Sequence, residues 1–264
     1  MEKNIQIIIN ADDYGFDNHK CDVILDAMKN GLITDTTLIA NSTSFDYAAR
    51  IALENECMNN RVGIHFNLTF GKPLTYPITK CSKLVRGGVF TKYLIYPRNY
   101  LIPLNKEEKE AIYIELSAQV EKILSAGINI THADSHQHVH NNWQVISIIK
   151  NVLVERDIYK IRLFKNVVDK GLIKNKLIDL YNYTLSRKGV VTTDYFGNLC
   201  EINNICDGVT EIMVHLDYDQ TGQIVNIVTN FGQLSAEQNL KEKVKKLQIS
   251  EENLINYFEL KWRR

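Results

Sequence analysis

The stretch NIQIIINADDYG, residues 4–15, decides how the chain folds. From Asn4 to Asn10 it is almost continuously apolar and β-branched, the signature of a strand buried on both faces, as in a parallel sheet. Parallel strands need long crossovers, and the next residues supply one. Asn18–Asn30 places Cys21, Ile24, Leu25 and Met28 at helical spacing, with Gly31 as C-cap.

The same alternation continues outward. Thr36–Ala40 and Arg61–Thr69 read as strands, with a helix over Ser44–Glu56 between them. Glu107–Ala126 reads as a helix, because Ile112, Leu116, Val120, Ile123 and Leu124 form one stripe and Gly127 follows. Then come a strand over Ile128–Asp134, a helix over Trp143–Arg156, a strand over Lys160–Phe164 and a helix over Leu172–Arg187. Strands over Val190–Phe196 and Thr210–Leu216 follow, and the tail, Ser235–Arg264, reads as helical with Lys241–Lys246 on a solvated face. About seven alternations imply an α/β fold: a (β/α) barrel of about seven parallel strands, or a doubly wound sheet.

One interval breaks the rhythm. Gly71–Pro103 holds all four prolines, the pair Gly87–Gly88, and Tyr76, Tyr93, Tyr96 and Tyr100. So long a connection is usually functional. It is expected to be a substrate wall inserted in a single domain spanning residues 1–264, its tyrosines offering aromatic faces to a substrate or equally serving a homodimer interface.

Composition excludes other classes. Lys+Arg and Asp+Glu both total 31, so the chain has no basic excess with which to hold a nucleic acid. No run of about 18 apolar residues is long enough to span a membrane. Cys21, Cys57, Cys81, Cys200 and Cys206 are odd in number and form no CxxC pair, which points to reduced thiols in the cytoplasm.

In either parallel architecture, ligands bind at the C-terminal ends of the strands, and six of the seven histidines fall at such ends. The first strand runs into Asp12–Asp13. Adjacent carboxylates on extended backbone point to opposite sides, so one can hold a metal while the other takes a proton. His65 alternates with apolar neighbours on the third strand, and Asn67 shares its face and could orient a substrate. In THADSHQHVH, residues 131–140, an extended backbone would put Asp134, His136, His138 and His140 on one side, a donor set that suits a divalent ion. Strand geometry would rarely let three alternate histidines reach one ion. His215 ends the last strand and has the side chain best suited to acid/base work near neutral pH. Asp217 and Asp219 follow it and could tune it. Phosphate-loop, dinucleotide-binding, nucleophile-elbow and H-E-x-x-H motifs are absent.

Taken together, IINADDYG (8–15), TDTTLIANS (34–42), VGIHFNLTFGKPL (62–74), ELSAQVEKILSAG (115–127), THADSHQHVH, IRL (161–163) and EIMVHLDYD (211–219) resemble the YdjC-like, or chitooligosaccharide deacetylase, family. The resemblance runs in order along nearly the whole chain. It implies a deacetylase-type barrel of about seven strands and a divalent metal, Mg²⁺ or Zn²⁺, held by Asp13, His65 and His136. It also implies Asp12 as catalytic base, and His215 matches a histidine suited to be the general acid. Two positions depart from the pattern: Tyr14 stands where phenylalanine is common, and Leu216 where proline is common.

The expected activity is metal-dependent removal of acetyl from an N-acetylated sugar, the substrate being a small carbohydrate. A carboxylate accepts the proton as water attacks the amide carbonyl, and an acid protonates the poorly leaving amine. Two alternatives stand beside it. An amidohydrolase-type site would read His136–Gln137–His138 as an HxH metal pair, although such pairs usually lie on the first strand. A sugar-binding protein without turnover would keep metal but release no acetate.

Overall fold

A computed structural model of the protein describes residues 4–186, 189–230 and 233–261. Strand β1 (Ile5–Tyr14) lies at its centre and extends beyond its apolar run through both acids. Helix α1 (Asn18–Lys29) starts at Asp17, whose carboxylate accepts the Lys20 N–H at 2.7 Å. It ends as expected, with Gly31 in the left-handed region at φ 65° and Leu32 N–H returning to Ala27 O. Then follow β2 (Asp35–Leu38), α2 (Phe45–Glu54) and β3 (Val62–Phe66).

The 71–103 interval holds the short α3 (Tyr76–Thr79) and a hairpin of β4 (Val85–Arg86) and β5 (Val89–Phe90), followed by two 3-10 turns. Helix α4 (Lys106–Ser125) opens with a capping box: Asn105 Oδ1 accepts Glu108 N–H and Glu108 Oε2 accepts Asn105 N–H. Beyond it lie β6 (Ala133–Ser135), α5 (Trp143–Val154), α6 (Leu172–Ser186), β7 (Tyr195–Asn198) and β8 (Gly208–Val214). Arg187, the expected last residue of α6, lies outside the described residues.

All pairings in the main sheet are parallel, in the order β6-β3-β2-β1-β8-β7. The sheet curls toward a barrel. The expected strand at Lys160–Phe164 is reduced to two parallel bridges, Ala133 with Ile161 and Lys160 with Val191. That segment joins β6 on one side to the chain entering β7 on the other, so the ring has seven positions but only six full strands.

Period-2 geometry sorts the strand residues between two environments. Ile7, Ile9 and Ala11 belong to the large apolar cluster shared with the helices, while Ile8 packs with Val191, Val209, Tyr257 and Leu260. Asn10 and Asp12 alternate with the outward residues and share the Ile8 face. The interior is thus a thin apolar floor beneath a hydrogen-bonded polar layer. Gly63 is required there by close approach, since a Cβ on it would lie 2.6 Å from the His132 ring.

The tail departs from expectation. Strands β9 (Leu216–Tyr218), β10 (Ile224–Asn230) and β11 (Gln233–Asn239) form an antiparallel sheet, and helix α7 covers only Leu240–Lys246. Backbone pairing with β10 outweighs the weak local preference of the polar 233–239 run. Asn239 then caps α7 by accepting Glu242 N–H at 3.0 Å, which starts the helix there. Residues 262–264 of the expected tail helix lie outside the described residues.

Tyr257 enters the barrel from the floor. Its N–H donates to Asp35 Oδ1 at 3.0 Å, while Asp35 Oδ2 is buried with no hydrogen-bond partner among the described residues. Burial pushes the Asp35 carboxyl up to about 8, against about 3.9 in an unfolded chain. The folded state therefore binds the extra proton, and this group's contribution to stability declines as pH rises from about 4 to 8. Asp35→Asn keeps the acceptor for Tyr257 and removes the titration. Its melting temperature should exceed that of the wild type at pH 8, with the difference shrinking toward pH 4. An equal difference at both pH values would exclude an ionisation effect.

Candidate active site

The C-terminal ends of β1, β3 and β6 bring Asp13, His65 and His136 together. His65 Nε2 lies 3.2 Å and His136 Nδ1 2.7 Å from Asp13 Oδ1. Three donors around a divalent ion, each at about 2.1 Å, would be separated by about 3.3 Å. The observed donor atoms lie within 4.8 Å of one another, so the residues fit such an ion. Asp13 and His136 are half-buried, and His215, with 40% of its side chain exposed, has Nε2 3.8 Å from Asp13 Oδ2. The cluster therefore opens on the His215 side.

Backbone strain marks the same place. Asp13 has φ 68°, left-handed for a non-glycine residue. This conformation, rather than simple strand alternation, turns its carboxylate to the two histidines while Asp12 points into the barrel. Burial opposes ionisation of Asp13, but the hydrogen bonds from His136 and His65 hold its carboxyl well below the usual range.

Below these donors lies a buried charge network. Arg162 is fully buried. Its NH1 and NH2 groups donate to the two Asp12 oxygens, each at 2.7 Å, a bidentate fork. NH1 also reaches Asp134 Oδ2 at 2.7 Å, and Nε donates to Glu211 Oε1 at 2.7 Å. Burial alone would raise the Asp12 carboxyl, but the Arg162 guanidinium outweighs it and keeps Asp12 ionised well below the usual carboxylate range. Asn10 donates to Asp12 Oδ1 at 2.9 Å.

Asp134 also orients His65. His65 Nδ1 lies 2.6 Å from Asp134 Oδ1, and Thr37 Oγ1 donates to Asp134 Oδ2 at 3.0 Å. Asp134 holds a proton on Nδ1, so Nε2 is the nitrogen that would give up its proton to bind a metal ion, the arrangement typical of a metal-binding histidine. Burial disfavours a doubly protonated His65, but Asp134 and Asp13 on its two nitrogens lift its pKa to about 10.

The expected row of Asp134, His136, His138 and His140 is not formed. The backbone leaves β6 in a 3-10 turn, His136–Asn141, with Gln137 and His138 at φ 51° and 54°. The turn separates His138 and His140 from the cluster that His136 joins. His140 Nδ1 sits 2.6 Å from Ser135 Oγ, and the His138 ring packs edge-on against His140 and Phe196. Burial holds both neutral, His140 down to about 3. Among the described residues neither joins a cluster able to hold an ion, so the HxH reading of His136 and His138 loses its geometric basis. Asn67 is also a structural residue. Its Oδ1 accepts Thr69 and Phe70 N–H and its Nδ2 donates to Phe70 O, shaping the turn after β3. Asp217 pairs with His19 and Lys20 rather than with His215.

Arg162, Thr37 and Glu211 were not identified from sequence. The signal was present in IRL, where a lone cation is flanked by apolar residues on an expected buried strand and must find counter-charges inside. An aromatic rim also appears: Phe16 and Phe70 stack at 4.8 Å, and both lie 6.2 Å from the His136 ring. The Tyr14 hydroxyl donates to Ala48 O at 2.7 Å. The 71–103 interval reaches this region. Its Tyr93–Ile95 turn packs on the His136–Asn141 turn, and Trp143 Nε1 donates to Tyr100 O at 2.9 Å.

Comparison with known proteins bears on this geometry. The model of the YdjC-like protein family matches residues 6–251. A protein named carbohydrate deacetylase 1 from Listeria innocua is 34% identical over 218 residues, 82% of this chain and 84% of its own. A carbohydrate deacetylase from Clostridium beijerinckii is 31% identical over 214 residues, 81% of this chain and 82% of its own. A solved structure from Enterococcus faecalis V583, described as a candidate cellobiose-phosphate cleavage protein, covers 96% of this chain and 98% of its own. Its TM-score is 0.64 at 22% identity, a likeness of fold alone.

Proposed function

The chain belongs to the YdjC-like protein family, and from that premise we propose that it is a carbohydrate deacetylase hydrolysing the acetamide of an N-acetylated sugar. The observation that carries the reading is the pairing of a three-donor cluster, Asp13, His65 and His136, with an ionised carboxylate on the adjoining residue, Asp12.

We assign Asp13, His65 and His136 as ligands of one divalent ion, zinc by donor softness or magnesium by family resemblance. Such an ion supplies Lewis acidity, making a water more acidic and drawing charge from the substrate carbonyl. Asp12 accepts the proton of the attacking water. Arg162 lowers its basicity but fixes its orientation and keeps it unprotonated. His215, half in solvent, donates a proton to the departing amine, because an amide nitrogen leaves badly unprotonated. Residues 71–103 form the substrate wall of a single domain, with the Phe16–Phe70 pair as an apolar rim for the sugar. The five free cysteines support a cytoplasmic location.

The test is acetate release from N-acetylglucosamine, its oligomers and other N-acetyl sugars, using chelated protein with metals added back. Release that depends on added metal is expected. Metal binding without release from any of these sugars would favour a binding protein. The ligand set has its own test: His65→Ala and His136→Ala should each lower metal content and activity together. Full occupancy in both variants would move the ion elsewhere.

A further inference from the structure

The polar interior does not end at Arg162. Glu211 Oε1 accepts the Arg162 Nε–H, and its other oxygen, Oε2, accepts the Tyr257 hydroxyl at 2.5 Å. Both residues are fully buried. Tyr257 is itself fixed on several sides. Its ring stacks on His132 at 3.8 Å, with 9° between the planes, and His132 Nε2 lies 3.0 Å from Asn10 Oδ1. Its N–H is held by Asp35, and its carbonyl accepts the Lys160 ammonium at 2.5 Å. Just before it, Ile255 N–H donates to Ile7 O and Leu254 bridges Ile7, which lays the segment along β1.

A guanidinium is a rigid planar fork. With NH1 and NH2 on Asp12, rotation of the plane is opposed at the far end by the bond from Nε to Glu211. Glu211 can resist only if its own carboxylate is held, and among the described residues Tyr257 holds its second oxygen. We propose that Tyr257 and Glu211 are positioning residues, which set the orientation of Arg162 and through it the Asp12 carboxylate from the opposite end of the barrel. The inference rests on the reading of Asp12 as the base.

The test uses Tyr257→Phe, which keeps the ring on His132 and removes only the hydroxyl, and Glu211→Gln, which keeps an acceptor and removes the charge. In each, kcat should fall about tenfold, toward the lower end of what loss of an orienting partner typically costs. KM and metal content should stay near wild type. In an Asp12→Asn background, Tyr257→Phe should have almost no further effect on kcat, because its action passes through Asp12. Thermal melts identify folded material, and kcat is taken per folded molecule. A purely structural role would lower the melting temperature but leave that kcat unchanged, or add its full factor to Asp12→Asn; either result overturns the proposal. If Asp12→Asn alone keeps wild-type kcat, the assignment of the base has failed instead, and the two failures are told apart.

Discussion

Asp12→Asn is expected to lower kcat by about 10²–10⁴-fold while the protein keeps its metal and binds substrate. That loss corresponds to roughly 3–5 kcal/mol of transition-state stabilisation. Asn retains the shape of Asp and one acceptor for Arg162, but cannot take a proton. Its amide nitrogen also faces a guanidinium donor, so the variant should melt somewhat below the wild type, and metal content is the necessary control. Asp13→Asn separates the neighbours. Asn tolerates the left-handed backbone at this position, but it is a poorer ligand, so metal binding should weaken and excess metal should restore part of the rate. If Asp12→Asn loses the ion while Asp13→Asn keeps it, the two roles are exchanged and the proposed chemistry is wrong.

The largest effect on stability should come from Arg162→Met. The side chains are similar in volume, so packing changes little. What changes is charge, because Asp12, Asp134 and Glu211 lose their shared cation in a buried site. Breaking a buried ion pair from one side costs about 3–5 kcal/mol, a large fraction of the ~5–15 kcal/mol that holds a typical domain together. Part of this is relieved by protonation, since burial already pushes Glu211 up to about 7. A fall in melting temperature on the order of 10 °C is expected, smaller at pH 5 than at pH 8. Arg162→Lys should recover some stability but not the bidentate grip on Asp12. A melting temperature for Arg162→Met within a degree or two of wild type would mean that the network is not the electrostatic centre described above.

Much of this was legible in the sequence because the deciding signals are local. The β-branched run before Asp12, the helical stripe of α4 and the Gly31 cap each lie within one window. The residues alone point to acids and histidines gathered at strand ends, and only the family resemblance singles out Asp13, His65 and His136 as the proposed ligands. What could not be read depends on tertiary geometry. Nothing in the spacing of DSHQHVH announces that Gln137 and His138 take left-handed backbone, which separates histidines that an extended chain would align. The 233–239 run is a strand only because β10 offers it partners. Arg162 shows one anomalous charge in sequence, and its three carboxylates are drawn from β1, β6 and β8. Tyr257 finds its partners more than two hundred residues earlier, or on strands it adjoins only after the ring has curled.

That separation sets an order of assembly during synthesis. Tyr257 lies 222 residues after Asp35, whose side chain it meets in the floor. At about 5–20 residues per second, the ribosome needs on the order of 10–45 s to travel from one to the other. Throughout that interval Asp35 lacks the aromatic residue that meets it, as do His132 and Glu211 once they are made. Strand β1 gains its neighbour β8 only after residue 208 has been made, so the ring cannot close before then, and its floor cannot close before residue 257. Drying of the interior is a late event, and the fixed geometry around Asp12 arrives with it.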